Sequence, residues 1–174
     1  INNKIYQRVH PTLIKKNSYV ASIDGVLNAV IIEGKPVGQS IIQGEGAGPA
    51  ATTSALVSDI SSILRGNIKF PFSIPNKERK NLKFNDISHR FFSVYLRFDV
   101  LDRPGVLSNI TNIFSKNKVS IKRLVQNPNK EMRSSSIIII THSSKDLHIK
   151  RILNEISKKI YIKKKPKLIR IDEN

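Results

Sequence analysis

FFSVYLRFDVLDRPGVLSNITNIFSKN, residues 91–117, contains the change of period that decides the fold. Through Leu101 the stretch alternates as a half-buried strand does, with a period of two. After the turn Asp102-Arg103-Pro104-Gly105, the apolar residues Val106, Leu107, Ile110, Ile113 and Phe114 recur at helical spacing, which predicts one apolar helix face.

Downstream, VSIKRLVQN and SSSIIIITH read as two further strands joined by a turn at Asn127-Pro128-Asn129-Lys130. A second helix is expected to bury Ile149, Ile152, Leu153, Ile156 and Ile160, and IKKKPKLIRI closes as a last strand. The order βαββαβ over residues 89–174 predicts a ferredoxin-like unit, four antiparallel strands covered on one face by two helices.

Residues 1–65 read differently. KIYQRVHPTLI is strand-like but broken by Pro11, and NAVIIEGKPVGQSIIQG reads as a hairpin turning at Glu33-Gly34-Lys35-Pro36. A helix follows, with Leu56, Ile60, Ile63 and Leu64 at helical spacing, Pro49 in its first turn and Gly66 as its stop. Between the two zones, residues 66–88 hold Gly66, Pro71, Pro75 and a basic polar run without sustained period, and read as a linker. The predicted class is α+β, a segment of strands plus one helix followed by the ferredoxin-like unit.

The glycines Gly44, Gly46 and Gly48 almost write the dinucleotide fingerprint G-x-G-x-x-G, but its last position is Pro49 and no mononucleotide fold surrounds it. A glycine turn feeding a helix accounts for the same residues. The turn at residues 102–105 has two readings as well. Pro104 and Gly105 can simply make a tight arc, or they can present the amides of the following helix to a small carboxylate ligand.

The 174-residue chain has 30 Lys plus Arg against 13 Asp plus Glu, a formal net charge of +17. Such charge attracts phosphate polyanions, and residues 145–170 alone carry ten basic against two acidic residues. The lysines are nevertheless dispersed through every segment, and aromatics at 6% do not interleave with them as single-strand binders require. A solvated basic surface is the simpler reading, with a module binding nucleic acid or another polyanion as the alternative. No apolar run reaches the roughly 20 residues that span a bilayer, and the first residues lack the apolar core of a signal peptide. Without cysteine there is no disulfide framework or thiolate metal site, which makes the cytoplasm the default location. His10, His89, His142 and His148 are scattered and do not form a metal set, and neither a Gly-x-Ser-x-Gly elbow nor a Walker loop occurs.

Residues 91–171, through FDVLDRPGVLSNITNIF, KVSIKRLVQ and IIIITH, resemble an ACT domain, an amino-acid-sensing module. The resemblance implies domains paired at their sheet edges with effector sites at the interface. By position the effector contacts fall at Asp102, Arg103, Gly105 and Val106, and near Ser120 at the start of the second strand. RVHPTLI, SIDGVLNAVIIEG and VGQSIIQGEGAGPAATTSALVSDI, within residues 8–60, resemble the end of the catalytic region of homoserine dehydrogenases that carry a C-terminal ACT domain.

That second resemblance implies interconversion of L-homoserine and L-aspartate 4-semialdehyde with NAD or NADP, in threonine and methionine biosynthesis, with L-threonine as the usual effector. It makes Gly48 the matched cofactor contact, with Gly46 and Ala47 beside it. The family's catalytic lysine and aspartate, its Rossmann loop and its monovalent-cation site precede the matched stretch. The chain is therefore expected to be a C-terminal fragment, inactive alone, with no catalytic and no metal-binding residue of its own. It is expected to join a homo-oligomer through ACT pairing, away from membranes.

Overall fold

The computed structural model describes residues 4–67, 74–129 and 133–172. In chain order the elements are β1 (Lys4–Ile5), β2 (Thr12–Leu13), β3 (Leu27–Gly34), β4 (Gly38–Glu45), α1 (Pro49–Leu64), β5 (Lys83–Phe84), β6 (Phe91–Leu101), α2 (Val106–Lys116), β7 (Ile121–Asn129), β8 (Ser134–Thr141), β9 (Ser144–Lys145), α3 (Asp146–Ile156) and β10 (Lys167–Ile171). The chain divides into two compact units, one made of Ile1–Lys15 with Lys83–Asn174 and the other of Lys16–Leu82.

The first unit is α+β, with two helices packed on its main sheet as the period change at Asp102 predicts. Its sheet runs β2-β10-β6-β8-β7, and β9 pairs with the start of β6. Strands β10, β6, β8 and β7 are antiparallel in the ferredoxin-like order. Alternation along β6 sends Val94, Leu96, Phe98 and Val100 to the helix side, opposite Ile137 and Ile139 of β8. Helix α2 supplies Val106, Ile110, Ile113 and Phe114, helix α3 supplies Ile149, Ile152 and Ile156, and together these residues form the core. Phe114 meets Phe98 edge to face, centroids 6.4 Å apart. Thr141, also buried, accepts the Val94 amide through Oγ1 at 3.2 Å and so takes part in sheet pairing.

Three local expectations are corrected here. Helix α3 ends at Ile156, so Ile160 falls in the following turn and is 96% exposed instead of lying on the buried face. The expected turn at Asn127-Pro128-Asn129-Lys130 is strand up to Asn129, with Pro128 opposite Ser135, while Lys130 lies outside the described residues. β7 is an edge strand, and an edge tolerates a residue that has no amide to donate. In the hairpin β3–β4 the pairing continues to Gly34 and Gly38, which moves the turn from Glu33–Pro36 to Lys35–Val37.

Residues 4–15 pair in parallel at two places, with β5 in a small separate sheet and with the edge of the main sheet at β10. Pro11 does break the strand, leaving β1 against β5 and β2 against β10, with Thr12 opposite Arg170 and Leu13 opposite Ile171. Within the stretch read as a linker, residues 68–73 lie outside the described residues. The remainder contains short 3-10 turns at Asn76–Glu78 and Ile87–His89, with β5 between them.

The second unit holds the hairpin β3–β4 and the helix α1, which begins at Pro49 and closes on Gly66, whose φ is +72°. Leu56, Ile60, Ile63 and Leu64 occupy the helical spacing expected of them, but all four are exposed in this chain.

Candidate functional site

The chain leaves β6 at Leu101 and enters α2 at Val106 through Asp102-Arg103-Pro104-Gly105. Gly105 caps the helix at φ +84°, a left-handed conformation that side chains resist, so this glycine is required by the backbone. The Val106 amide bonds back to Arg103 O at 3.3 Å, and Asn109 N reaches Gly105 O at 2.9 Å. The turn borders a cavity of about 450 Å³ that Asp102, Arg103, Gly105 and Val106 line together with Gln126 and Ile137. Gln126 Nε2 lies 3.5 Å from Asp102 Oδ1, which ties the turn to β7. The early amides of a helix have no intrahelical acceptor and carry partial positive charge, so the turn can hold a carboxylate.

Four of the five residues expected at the effector site thus converge. Ser120 does not join them in one copy of the chain: it precedes β7 at the other end of the sheet, where its carbonyl accepts the His142 amide at 2.9 Å. Gln126 escaped the sequence reading because a lone polar residue on a strand carries no signature, and only the β7–β8 register brings it opposite Ile137 at this cavity.

In the second unit, Gly46, Ala47 and Gly48 form the exposed link between β4 and α1. A Cβ on Gly46 would fall 1.6 Å from Nδ2 of the exposed Asn28 side chain on β3, so a larger residue there requires that side chain to turn away. At Gly48 the reason is conformational, since φ is +125° and no atom lies within 4 Å of a Cβ placed there. The link therefore offers bare backbone at the mouth of α1, which fits close approach by a phosphate-bearing cofactor.

A buried charge cluster that the sequence does not announce ties α3 to β10. Asp146, in the first turn of α3 and 2% exposed, accepts from Arg170 Nη2 at 2.6 Å and Nε at 3.2 Å, and its Oδ2 faces Lys150 Nζ at 3.0 Å. Burial alone would raise its pKa, but the bonds from Arg170 and Lys150 outweigh burial and hold it below the usual carboxylate value. The other basic residues of 145–170 are spread over the outside of α3, the loop after it and β10, and Arg151, Lys158, Lys163, Lys164 and Lys167 are all exposed. Among the described residues, no group of three or more His, Asp or Glu is placed to hold a metal ion. None of their helices is long and apolar enough to cross a membrane.

Comparison with known proteins matches residues 1–61 to the homoserine dehydrogenase family model and residues 94–160 to the ACT domain model. A homoserine dehydrogenase from Neisseria gonorrhoeae is 33% identical over 95% of this chain and 39% of its own length. One from Synechocystis is 34% identical over 94% of this chain, again 39% of its own length. Among solved structures, a homoserine dehydrogenase from Thiobacillus denitrificans superposes with a TM-score of 0.82 at 30% identity, covering 99% of this chain and 40% of that one. The chain thus spans about two fifths of the length of the relatives it matches. It carries a homoserine dehydrogenase segment at residues 1–61 followed by an ACT domain at residues 94–160, and in sequence and fold it is similar to the matching part of homoserine dehydrogenases.

Proposed function

We propose that the chain is the ACT-bearing portion of a homoserine dehydrogenase and that its ACT domain senses an amino acid, L-threonine, at the turn between β6 and α2. The reading rests on the family match and, above all, on the 450 Å³ cavity where Asp102, Arg103, Gly105 and Val106 meet the start of α2. In this reading the effector carboxylate lies against the helix amides and Arg103, while Asp102, oriented by Gln126, takes the ammonium group. The cavity's small size suits an amino acid better than an extended polymer.

The parent activity is the NAD(P)-dependent interconversion of L-homoserine and L-aspartate 4-semialdehyde, in which the nicotinamide exchanges a hydride. Gly46, Ala47 and Gly48 would face that cofactor through backbone alone. Oligomerisation would use the edge of β7, since β2 covers the opposite edge of the sheet. Pairing at β7 would also explain how Ser120 of one copy serves a site at which it is absent within its own chain.

Thermal unfolding of the chain with and without millimolar L-threonine tests effector sensing, because a ligand of the folded state raises the midpoint by mass action. A saturable rise is expected. No rise with L-threonine, L-lysine, L-methionine or L-isoleucine would leave subunit assembly as the domain's role.

A further inference from the structure

At the other end of β6 from the effector turn, a cavity of about 700 Å³ opens where β2, β10 and the start of β6 come together. Its wall gathers three guanidinium groups, Arg8, Arg90 and Arg170, from three separate stretches of chain. Each is braced by an aromatic ring. Arg8 lies 4.1 Å above the Phe92 ring, Arg170 lies 5.5 Å from the same ring, and Arg90 lies 4.4 Å from the ring of Tyr6. Stacking fixes the plane of a guanidinium while its edge donors stay available, which lowers the entropic cost of engaging an oxyanion.

Like charges so close repel, and the cost is visible at Arg8. Its pKa is lowered by desolvation and by the charges of Arg170 and Arg90, which Asp146 and Asp172 offset only in part. Arg170 is already committed to Asp146. With Arg170 paired to Asp146, the wall offers a ligand Arg8 and Arg90 against one carboxylate, Asp172.

We propose that this cavity binds a phosphate group, as inorganic phosphate or as the phosphate of a small phosphomonoester, with Arg8 and Arg90 as its bidentate partners. Arg8 and Arg90 offer two guanidinium forks whose paired donors match the oxygens of a phosphate group. The volume exceeds what one phosphate fills and leaves room for the organic part of an ester. The site shares no residue with the effector turn, from which roughly 30 Å of strand separates it at about 3.3 Å per residue. It therefore stands or falls independently of threonine sensing.

The test is thermal unfolding of the chain in sodium phosphate and in O-phospho-L-serine, each against sodium chloride at the same ionic strength. The chloride arm is needed because a chain of net charge +17 is stabilised by screening alone. At about ten times the half-saturating concentration, phosphate should raise the midpoint by about 3–5 °C above chloride. A larger rise with phosphoserine assigns the site to an ester, and an equal one to the free ion.

The Arg8→Gln/Arg90→Gln double variant should lose the phosphate increment. Arg8→Lys/Arg90→Lys keeps the charge and the stacked stems but removes the forks, so its half-saturating phosphate concentration should rise at least about tenfold. Equal shifts in phosphate and chloride, a double Gln variant that keeps the increment, or Lys variants that bind as the parent does would each overturn the proposal.

Discussion

Arg170 places Nη2 2.6 Å from Oδ1 of Asp146 and thereby fastens the last strand of the sheet to the first turn of α3. The carboxylate is almost fully buried, and Arg170 is 17% exposed at its side chain, so the contact is poorly screened by water or salt. It lies under the three-arginine cavity and removes one of those charges from the reach of a ligand.

Removing one partner of this pair strands the other. Asp146→Ala should lower unfolding free energy by about 3 kcal/mol in urea denaturation, because the largely buried Arg170 loses its counter-charge. Arg97→Ala, which breaks an exposed pair with Asp99 at 3.2 Å, should cost less than about 1 kcal/mol in the same measurement.

The same pair gives the stability a pH dependence of definite sign. Asp146 has a folded-state pKa below its reference value of 3.8, so the unfolded chain takes up the proton first as pH falls. Its contribution is present in full well above pH 3.8 and is lost as pH drops below that value through the folded-state pKa. Urea midpoints measured from neutral pH down to pH 3 should fall more steeply at the acid end for the parent chain than for Asp146→Asn.

Two isoleucines of the same stretch should respond oppositely to truncation. Ile152 is fully buried between α3 and the sheet, and Ile152→Ala should cost about 2–5 kcal/mol. Ile160, almost wholly in solvent, should tolerate alanine within about 0.5 kcal/mol, as read from chemical denaturation of both variants.

At the effector turn, Gln126→Ala should diminish the threonine-induced rise in unfolding midpoint and Asp102→Ala should abolish it, with little change in the ligand-free midpoint of either. Gly105→Ala differs: its φ of +84° should cost about 1–2 kcal/mol even without ligand, although no atom lies within 4 Å of the added Cβ. A Gln126→Ala chain that responds to threonine as the parent does would remove this side chain from the site.

What the sequence determined by itself is whatever follows from period and turn chemistry. The strand from Phe91 to Leu101 keeps its predicted bounds, Val106, Ile110, Ile113 and Phe114 are buried on one face of α2, and Pro49 begins α1, because each rests on residues within a few positions of one another. Local period also misled where the chain stops being helical, as at Ile160, since spacing continues past a helix end that tertiary packing sets. Only the tertiary structure decided which distant residues meet. Arg8, Arg90, Asp146 and Arg170 carry no mutual signal along the chain, and the pairing of β2 with β10 brings them together. Gln126 reaches Asp102 by the same kind of long-range register. Backbone periodicity is a property of neighbours in sequence, whereas a charge cluster depends on burial and strand pairing, which exist only once the sheet has formed.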